Sequence, residues 1–570
     1  MDHVEVFLLV IGAVLVGAAC RRRGWPAPLV VVGVAILVSL IPAVPRYEVD
    51  SELLLEFVLP PLLYSAALAS SYRDFRASLN SITRLGVGLV LASALVVAAT
   101  FWLLEDVPFA VALVLGAVVA PPDAVAAAAV GRRLGLPRRV MTLLSGESLI
   151  NDATSLTLYK VALAGVATGA WELGAGLATF AAAVVGGVVV GFAIGWVVHL
   201  VRMRLDDPVV ASAIGLLTPF GAYWAAEAIG GSGVLAVVTA GLYLGHTSPR
   251  AGYATRLYEG PIWSTLDLLL ESFTFALIGM QLPWVVRDVV SSDQGFAHGL
   301  VVSFVVLGTA VLVRPLYVFG TAWFDRLRLP GSHRPRGDSL TRRESAVVSW
   351  AGMRGVVTLA AAAAIPATSG GDPFPERATI QLAAYTVAIG TLLLQGLSLP
   401  WVITRLGVGS AQEVADDAAQ EAGMRLAAAD AVQEYFEGRR DQLEREFGRE
   451  RAEQMIERMS SGWRQRASAA AVMLDPEHAE ELLPDGVTPQ DAAEKGLGTI
   501  GGAAARRLPA AAAGRKMQAM RRALIATQRE VLMEHRDAGD LDESVMRRMM
   551  RELDLEEEAL ASSWVTRLRD

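Results

Sequence analysis

Thirteen apolar stretches run along the first 404 residues of this chain: 4–20, 27–44, 52–70, 82–104, 108–131, 140–167, 174–201, 209–229, 231–247, 260–285, 296–320, 343–367 and 378–404. Each approaches the roughly 20 residues an α-helix needs to cross a bilayer. In hydrocarbon every backbone N–H and C=O has to be satisfied internally, which leaves a bundle of helices as the reading. The chain is therefore expected to be an all-α polytopic membrane protein. The first stretch carries its basic cluster, Arg21-Arg22-Arg23, behind the apolar run rather than ahead of it, so it reads as a first span and not as a cleaved leader.

Loop charge supports that count. Twenty arginines fall in alternate loops: Arg21, Arg22 and Arg23; Arg73, Arg76 and Arg84; Arg132, Arg133, Arg138 and Arg139; Arg202 and Arg204; Arg250 and Arg256; and Arg326, Arg328, Arg334, Arg336, Arg342 and Arg343. The intervening loops hold three, Arg46, Arg287 and Arg377. The positive-inside bias places the N-terminus outside and everything after the thirteenth span in the cytoplasm of a cell bounded by this plasma membrane. Composition changes near Gly407 to Gln412. Residues 411–570 hold 32 acidic and 23 basic side chains, against 26 and 27 in the first 410. The domains are thus expected to be 1–408 in the membrane and 409–570 as a soluble, acidic tail. The net charge of −8 comes from the tail and gives no sign of a nucleic-acid partner. Within the tail, 415–470 and 512–560 read as helical, separated by a Gly/Pro/Ala-rich segment at 475–511. A single cysteine, Cys20, excludes an intramolecular disulfide or a CxxC metal site. No Walker, dinucleotide or metal motif appears, so neither enzymatic chemistry nor a resident cofactor is expected.

Three charged residues lie deep inside spans. Counted from the arginine-rich end, Asp152 is about 18 Å in, Asp123 about 12 Å and Arg354 about 16 Å, at 1.5 Å per residue. A charge at such depth costs on the order of 3 kcal/mol or more, and persists where it faces water, meets a partner or handles ions. Packing alone is the competing reading for each. In span five, Ala120-Pro121-Pro122-Asp123 sets two prolines, which lack amide hydrogens, just before an acid. The helix should break there and free carbonyls able to face a cation. In span six, Gly146-Glu147-Ser148-Leu149-Ile150-Asn151-Asp152 separates Glu147 from Asp152 by about 140° of helix, so the two acids point apart. Ser148 and Asp152, at i and i+4, share a face, and Asn151 is neutral. In span twelve, Gly352-Met353-Arg354-Gly355 holds an obligatory cation between glycines, and Glu147 is its expected counter-ion. Lys160, eight residues beyond Asp152, reads as a structural or interfacial charge, with a modulator lining the outer funnel as the alternative; Glu56, Glu227, Asp267 and Glu271 also lie in or near spans and read as cavity-lining or helix-end charges.

Together these elements resemble the monovalent cation/proton antiporters, in the sodium/proton exchanger branch marked by an Asn-Asp pair. Glu147-Ser148-Leu149-Ile150-Asn151-Asp152 is similar to its ion-site signature, and Ala120-Pro121-Pro122-Asp123-Ala124-Val125 to its Ser-Pro-Thr-Asp-Ala-Val element. Gly352-Met353-Arg354-Gly355 is similar to its buried arginine motif, and Leu59-Pro60-Pro61-Leu62-Leu63-Tyr64 to its third-helix motif. The resemblance implies two inverted six-helix repeats, with spans five and twelve crossing as broken helices, and a homodimer. It implies that Asp152, Asp123, Ser148 and a span-five carbonyl hold Na⁺ as cargo, with Glu147 and Arg354 as a structural pair. Two positions depart from the pattern: Ser65 stands where many relatives carry an acid, and Pro122 stands where a Thr precedes the span-five Asp. The function implied is electroneutral exchange of cytoplasmic Na⁺ or Li⁺ for H⁺ at Asp152. Potassium/proton exchange is the nearer alternative, and a non-transporting sensor on the same fold the more distant one.

Overall fold

The computed structural model describes residues 3–23, 25, 27–41, 44, 54–168, 173–205, 207–291, 295–327, 340–369, 371–409, 411–474 and 512–562. Arg46, Arg328, Arg334, Arg336 and the tail segment 475–511 lie outside them. The chain divides into two units, Met1–Ser248 with Glu259–Gly409, and Pro249–Tyr258 with Ser410–Asp570.

Among the described residues the first unit is helical apart from loops and one short hairpin, Thr368–Ser369 (β1) paired antiparallel with Asp372–Pro373 (β2). Its opening helices are α1 (His3–Arg23), α2 (Ala27–Ser39), α3 (Leu59–Ala69), α4 (Tyr72–Ala77), α5 (Leu79–Thr83) and α6 (Val90–Leu104). The π-helical turn Leu54–Val58 leads into α3, and another, Arg84–Leu89, joins α5 to α6 in one continuous rod. Span five is two helices, α7 (Phe109–Val119) and α8 (Ala124–Leu134), and span six is one, α9 (Arg138–Thr168). Then follow α10 (Leu173–Arg202), α11 (Pro208–Ala228), α12 (Gly233–Thr247), α13 (Tyr253–Val290) and α14 (Gly295–Leu327). Span twelve is again two helices, α15 (Arg342–Trp350) and α16 (Val356–Ala363); α17 (Arg377–Thr391) and α18 (Leu397–Leu406) form the thirteenth.

Local chemistry sets the ends of these helices. Asp207 caps α11 by accepting from the Val209 amide at 2.8 Å, with Pro208 in the first turn. Thr341 and Glu344 close a capping box on α15, the Thr341 hydroxyl accepting at 3.2 Å and the Glu344 carboxylate at 2.7 Å. Gly407 ends α18 in the left-handed region, φ 61°. Six rods, Leu79–Leu104, Gly176–Arg202, Pro208–Ala228, Tyr253–Val290, Gly295–Trp323 and Arg377–Leu406, are each long and apolar enough to cross a membrane. Spans five and twelve fall short because each is cut in two. Span six carries Arg138, Arg139, Glu147, Asp152 and Lys160, which lower its hydropathy.

The second unit is a helical bundle of α19 (Ala411–Glu437), α20 (Arg440–Phe447), α21 (Arg449–Leu474), α22 (Ala512–Ala538) and α23 (Glu543–Ala561), with Pro249–Tyr258 packed into it. Val432, Phe436, Leu443, Ile456 and Leu524 form one apolar cluster, and Ile525, Leu532, Val545, Met546 and Leu553 another. The buried Asp554 carboxylate is held by two guanidiniums, from Arg529 at 2.6 Å and from Arg256 through its Nε at 2.8 Å.

Candidate ion-binding site

The site forms where the two broken helices meet. Pro121 and Pro122 cannot donate, so the carbonyls one turn earlier lose their helical partners. The Ala117 carbonyl, which Pro121 leaves open, accepts from the Ser155 hydroxyl at 2.8 Å. The Asp123 amide turns away from α7 and donates to the Met353 carbonyl, at 2.5 Å, in the break between α15 and α16. That in turn opens the Val119 carbonyl, which accepts from Arg354 Nε at 3.1 Å. The Pro122 carbonyl accepts from the Asn151 amide at 2.8 Å.

Arg354 is 1% exposed, and its donors all go to backbone oxygens: Val119, Gly352 and, at 3.3 Å, Ala310. Its own amide donates to Thr391 Oγ1 at 3.0 Å. A direct pair between Arg354 and Glu147 is not made. Glu147 is gripped instead by the fork of Arg314 on α14, with Nη2 donating to Oε2 at 2.7 Å and Nη1 to Oε1. Arg314 Nε donates to the Val348 carbonyl at 2.8 Å. The planar guanidinium suits bidentate capture of a carboxylate, and Arg354 is already committed to the carbonyls the two breaks expose. Arg314, Ser155 and Thr391 did not emerge from the sequence reading. Arg314 had a visible signal, a lone arginine inside span eleven; Ser155 had one only in retrospect, as a hydroxyl three residues beyond Asp152.

A cavity of about 440 Å³ opens beside the crossing. Pro122, Asp123, Ser148, Asp152, Ser65, Asp267 and Glu271 all line it, and it extends to Ser70, Phe75, Arg132 and Met141 at the arginine-rich helix ends. Glu147 faces away into protein, as the 140° separation requires. Asp152 is 6% exposed, and Asn151 is fully buried with its Oδ1 unpartnered. Ser65 donates to Asp267 Oδ2 at 2.7 Å, so α13 places a carboxylate against the wall that α3 leaves neutral. At the far end of α9, Lys160 pairs with Glu227 at 2.6 Å, while Trp224 donates to Glu56 at 3.4 Å. Lys160 does not line the large cavity.

Gly355 lies against Asp123, and a Cβ there would collide with the Asp123 carboxylate. Gly355→Ala is expected to displace Asp123 and lower transport at least tenfold while leaving the melting temperature within a few degrees. Wild-type flux in this variant would mean that Asp123 need not stand where it does.

These features define a helical membrane protein with an acid-lined cavity ending at crossed helix breaks. The family described as "Sodium/hydrogen exchanger, transmembrane" matches residues 8–405, and the chain belongs to that family. It is 37% identical over 410 residues to an uncharacterised Na⁺/H⁺ exchanger of Mycobacterium tuberculosis, covering 70% of this chain and 73% of that one. It is 32% identical over 387 residues to a sodium, potassium, lithium and rubidium/H⁺ antiporter of Bacillus pumilus, covering 66% of this chain and 57% of that protein. The fold is similar to the sodium proton antiporter MjNhaP1 of Methanocaldococcus jannaschii, with a TM-score of 0.57 at 21% identity over 70% of this chain and 97% of that one.

Proposed function

We propose that the protein is a secondary antiporter exchanging a cytoplasmic monovalent cation for external H⁺, with Asp152 as the group that binds either. The observation that carries this is a carboxylate, 6% exposed, at the inner end of a cavity walled by Asp123, Ser148 and the Pro121-Pro122 break. Bare oxygens of this kind suit a hard cation that sheds part of its water. Glu147 and Arg314 are paired with each other, away from the cavity. Asn151 is neutral and holds the Pro122 carbonyl, so one cation replaces one proton at Asp152 and the exchange is electroneutral. The arginine-rich face is cytoplasmic by the loop charges, which puts the tail there too, and the transport unit is a homodimer in the plasma membrane.

Na⁺ and Li⁺ are the favoured cargo. Potassium exchange is the second reading, favoured by Pro122 in place of a hydroxyl-bearing residue and by the wide cation range in the name of the Bacillus pumilus relative. Dissipation of a pH gradient in proteoliposomes, run in parallel with Na⁺, Li⁺ and K⁺, separates the two. Competition at one carboxylate makes a further demand. Raising cation concentration a hundredfold is expected to move the activity profile to more acidic pH, and truncation near Gln412 should leave that shift intact. A midpoint that ignores cation concentration would require a separate pH sensor.

A further inference from the structure

An exchanger has to open one carboxylate to both sides of the membrane in turn. The large cavity supplies one route to Asp152, from the arginine-rich face. A second cavity, of about 220 Å³, approaches the same helix from the other end, lined by Leu55, Leu156, Thr157, Tyr159, Lys160 and Glu227 among others. Asp152, Leu156 and Lys160 stand at i, i+4 and i+8 on α9 and so form one stripe. Asp152 lines the first cavity, Leu156 lines the second, and the rise between them is about 6 Å. The helix opposite repeats the arrangement: Leu59 lines the first cavity and Leu55 the second, again four residues apart. Leu59 and Leu156 are 1% and 6% exposed, so a single apolar layer separates the two spaces.

Beyond that layer a few polar groups are set into a largely apolar wall. Thr157 Oγ1 and Ser232 Oγ are 3.4 Å apart, and the buried Tyr159 hydroxyl has no partner. At the mouth, Lys160 reaches Glu227 at 2.6 Å, and Glu227 Oε1 also accepts from the Gly233 amide at 3.1 Å. One ion pair thereby ties the helix that carries Asp152 to the last turn of α11. We infer that this second cavity is the other access path to Asp152, taking hydrated monovalent cations and protons from the arginine-poor face. Leu156 and Leu59 are its inner seal, and the Lys160–Glu227 pair is its latch. The inference rests on the antiport reading and adds the route and its gate.

The test uses the whole chain with Cys20→Ser, which leaves no native thiol. In the Lys160→Cys/Glu227→Cys variant, a short bis-methanethiosulfonate is expected to cut cation-driven proton flux at least tenfold, with recovery on reduction, while a monofunctional analogue leaves the flux within twofold. A cross-link verified by mass that leaves flux intact overturns the latch, and so does failure of the two cysteines to link. In a second arm, Thr157→Cys is labelled by a membrane-impermeant thiol reagent from the arginine-poor face. Adding Lys160→Ala should speed labelling at least tenfold; an unchanged rate overturns the path. Labelling needs no transport, so it judges the path even if the Cys20→Ser parent shows no exchange, a result that would sink the antiport reading alone.

Discussion

Asp152→Asn is expected to abolish cation-driven proton flux, by at least a hundredfold, in a protein that still inserts and elutes as the wild type does. Asparagine keeps the shape of the side chain but can neither take up a proton nor carry the negative charge that holds a cation. Among the described residues Asp152 makes no side-chain hydrogen bond or ion pair, in contrast to Glu147, so its neutralisation removes little that holds the fold together. The charge that is lost was an unpaired one at membrane depth, and melting temperature in detergent is therefore expected to stay the same or rise. Flux above a tenth of wild type in proteoliposomes would move the exchanging group elsewhere, and Asp123, on the same cavity wall, would be the next to substitute.

Much of this site is legible in the chain because its chemistry is local. Adjacent prolines must break a helix wherever they fall, and the break at Ala120 to Asp123 follows from Pro121 and Pro122 alone. The divergence of Glu147 and Asp152 follows from five residues of helical rotation, and the structure sends one into protein and the other into the cavity. All thirteen expected spans correspond to helices or broken pairs of helices, since hydropathy reports a constraint each segment meets by itself. What the sequence does not disclose is which distant groups meet. Arg354 and Arg314 are both lone arginines in apolar spans, and nothing local says which one faces Glu147. The outcome depends on where the two breaks expose carbonyls, and that is settled only when the broken spans meet at Asp123 and Met353. The Ser65–Asp267 contact is of the same kind, joining residues 202 apart in sequence. The pairing of tail residue Asp554 with Arg256 is another, because no pattern in either segment names the other.

The exchange of partners around Glu147 has a measurable consequence. Removing one side of a buried ion pair typically costs about 3–5 kcal/mol, because the other charge stays buried without compensation. Glu147→Gln and Arg314→Met are each expected to lower thermal stability in detergent by an amount of that order. The double variant should be more stable than the sum of the two losses, since neither stranded charge remains. Recovery will be partial, as Arg314 also donates through Nε to the Val348 carbonyl, which the methionine cannot satisfy. The cycle between Glu147 and Arg354 has a different expected outcome. Arg354 makes its hydrogen bonds to the Val119, Gly352 and Ala310 carbonyls and the Arg314 fork holds Glu147, so Glu147→Gln and Arg354→Met should couple more weakly than Glu147→Gln and Arg314→Met. Arg354→Met also strands carbonyls at the helix crossing, and it should reduce transport as well as stability by loosening the backbone that aims Asp123 into the cavity. A strong coupling in the Arg354 cycle, with none in the Arg314 cycle, would reverse the assignment of the two arginines.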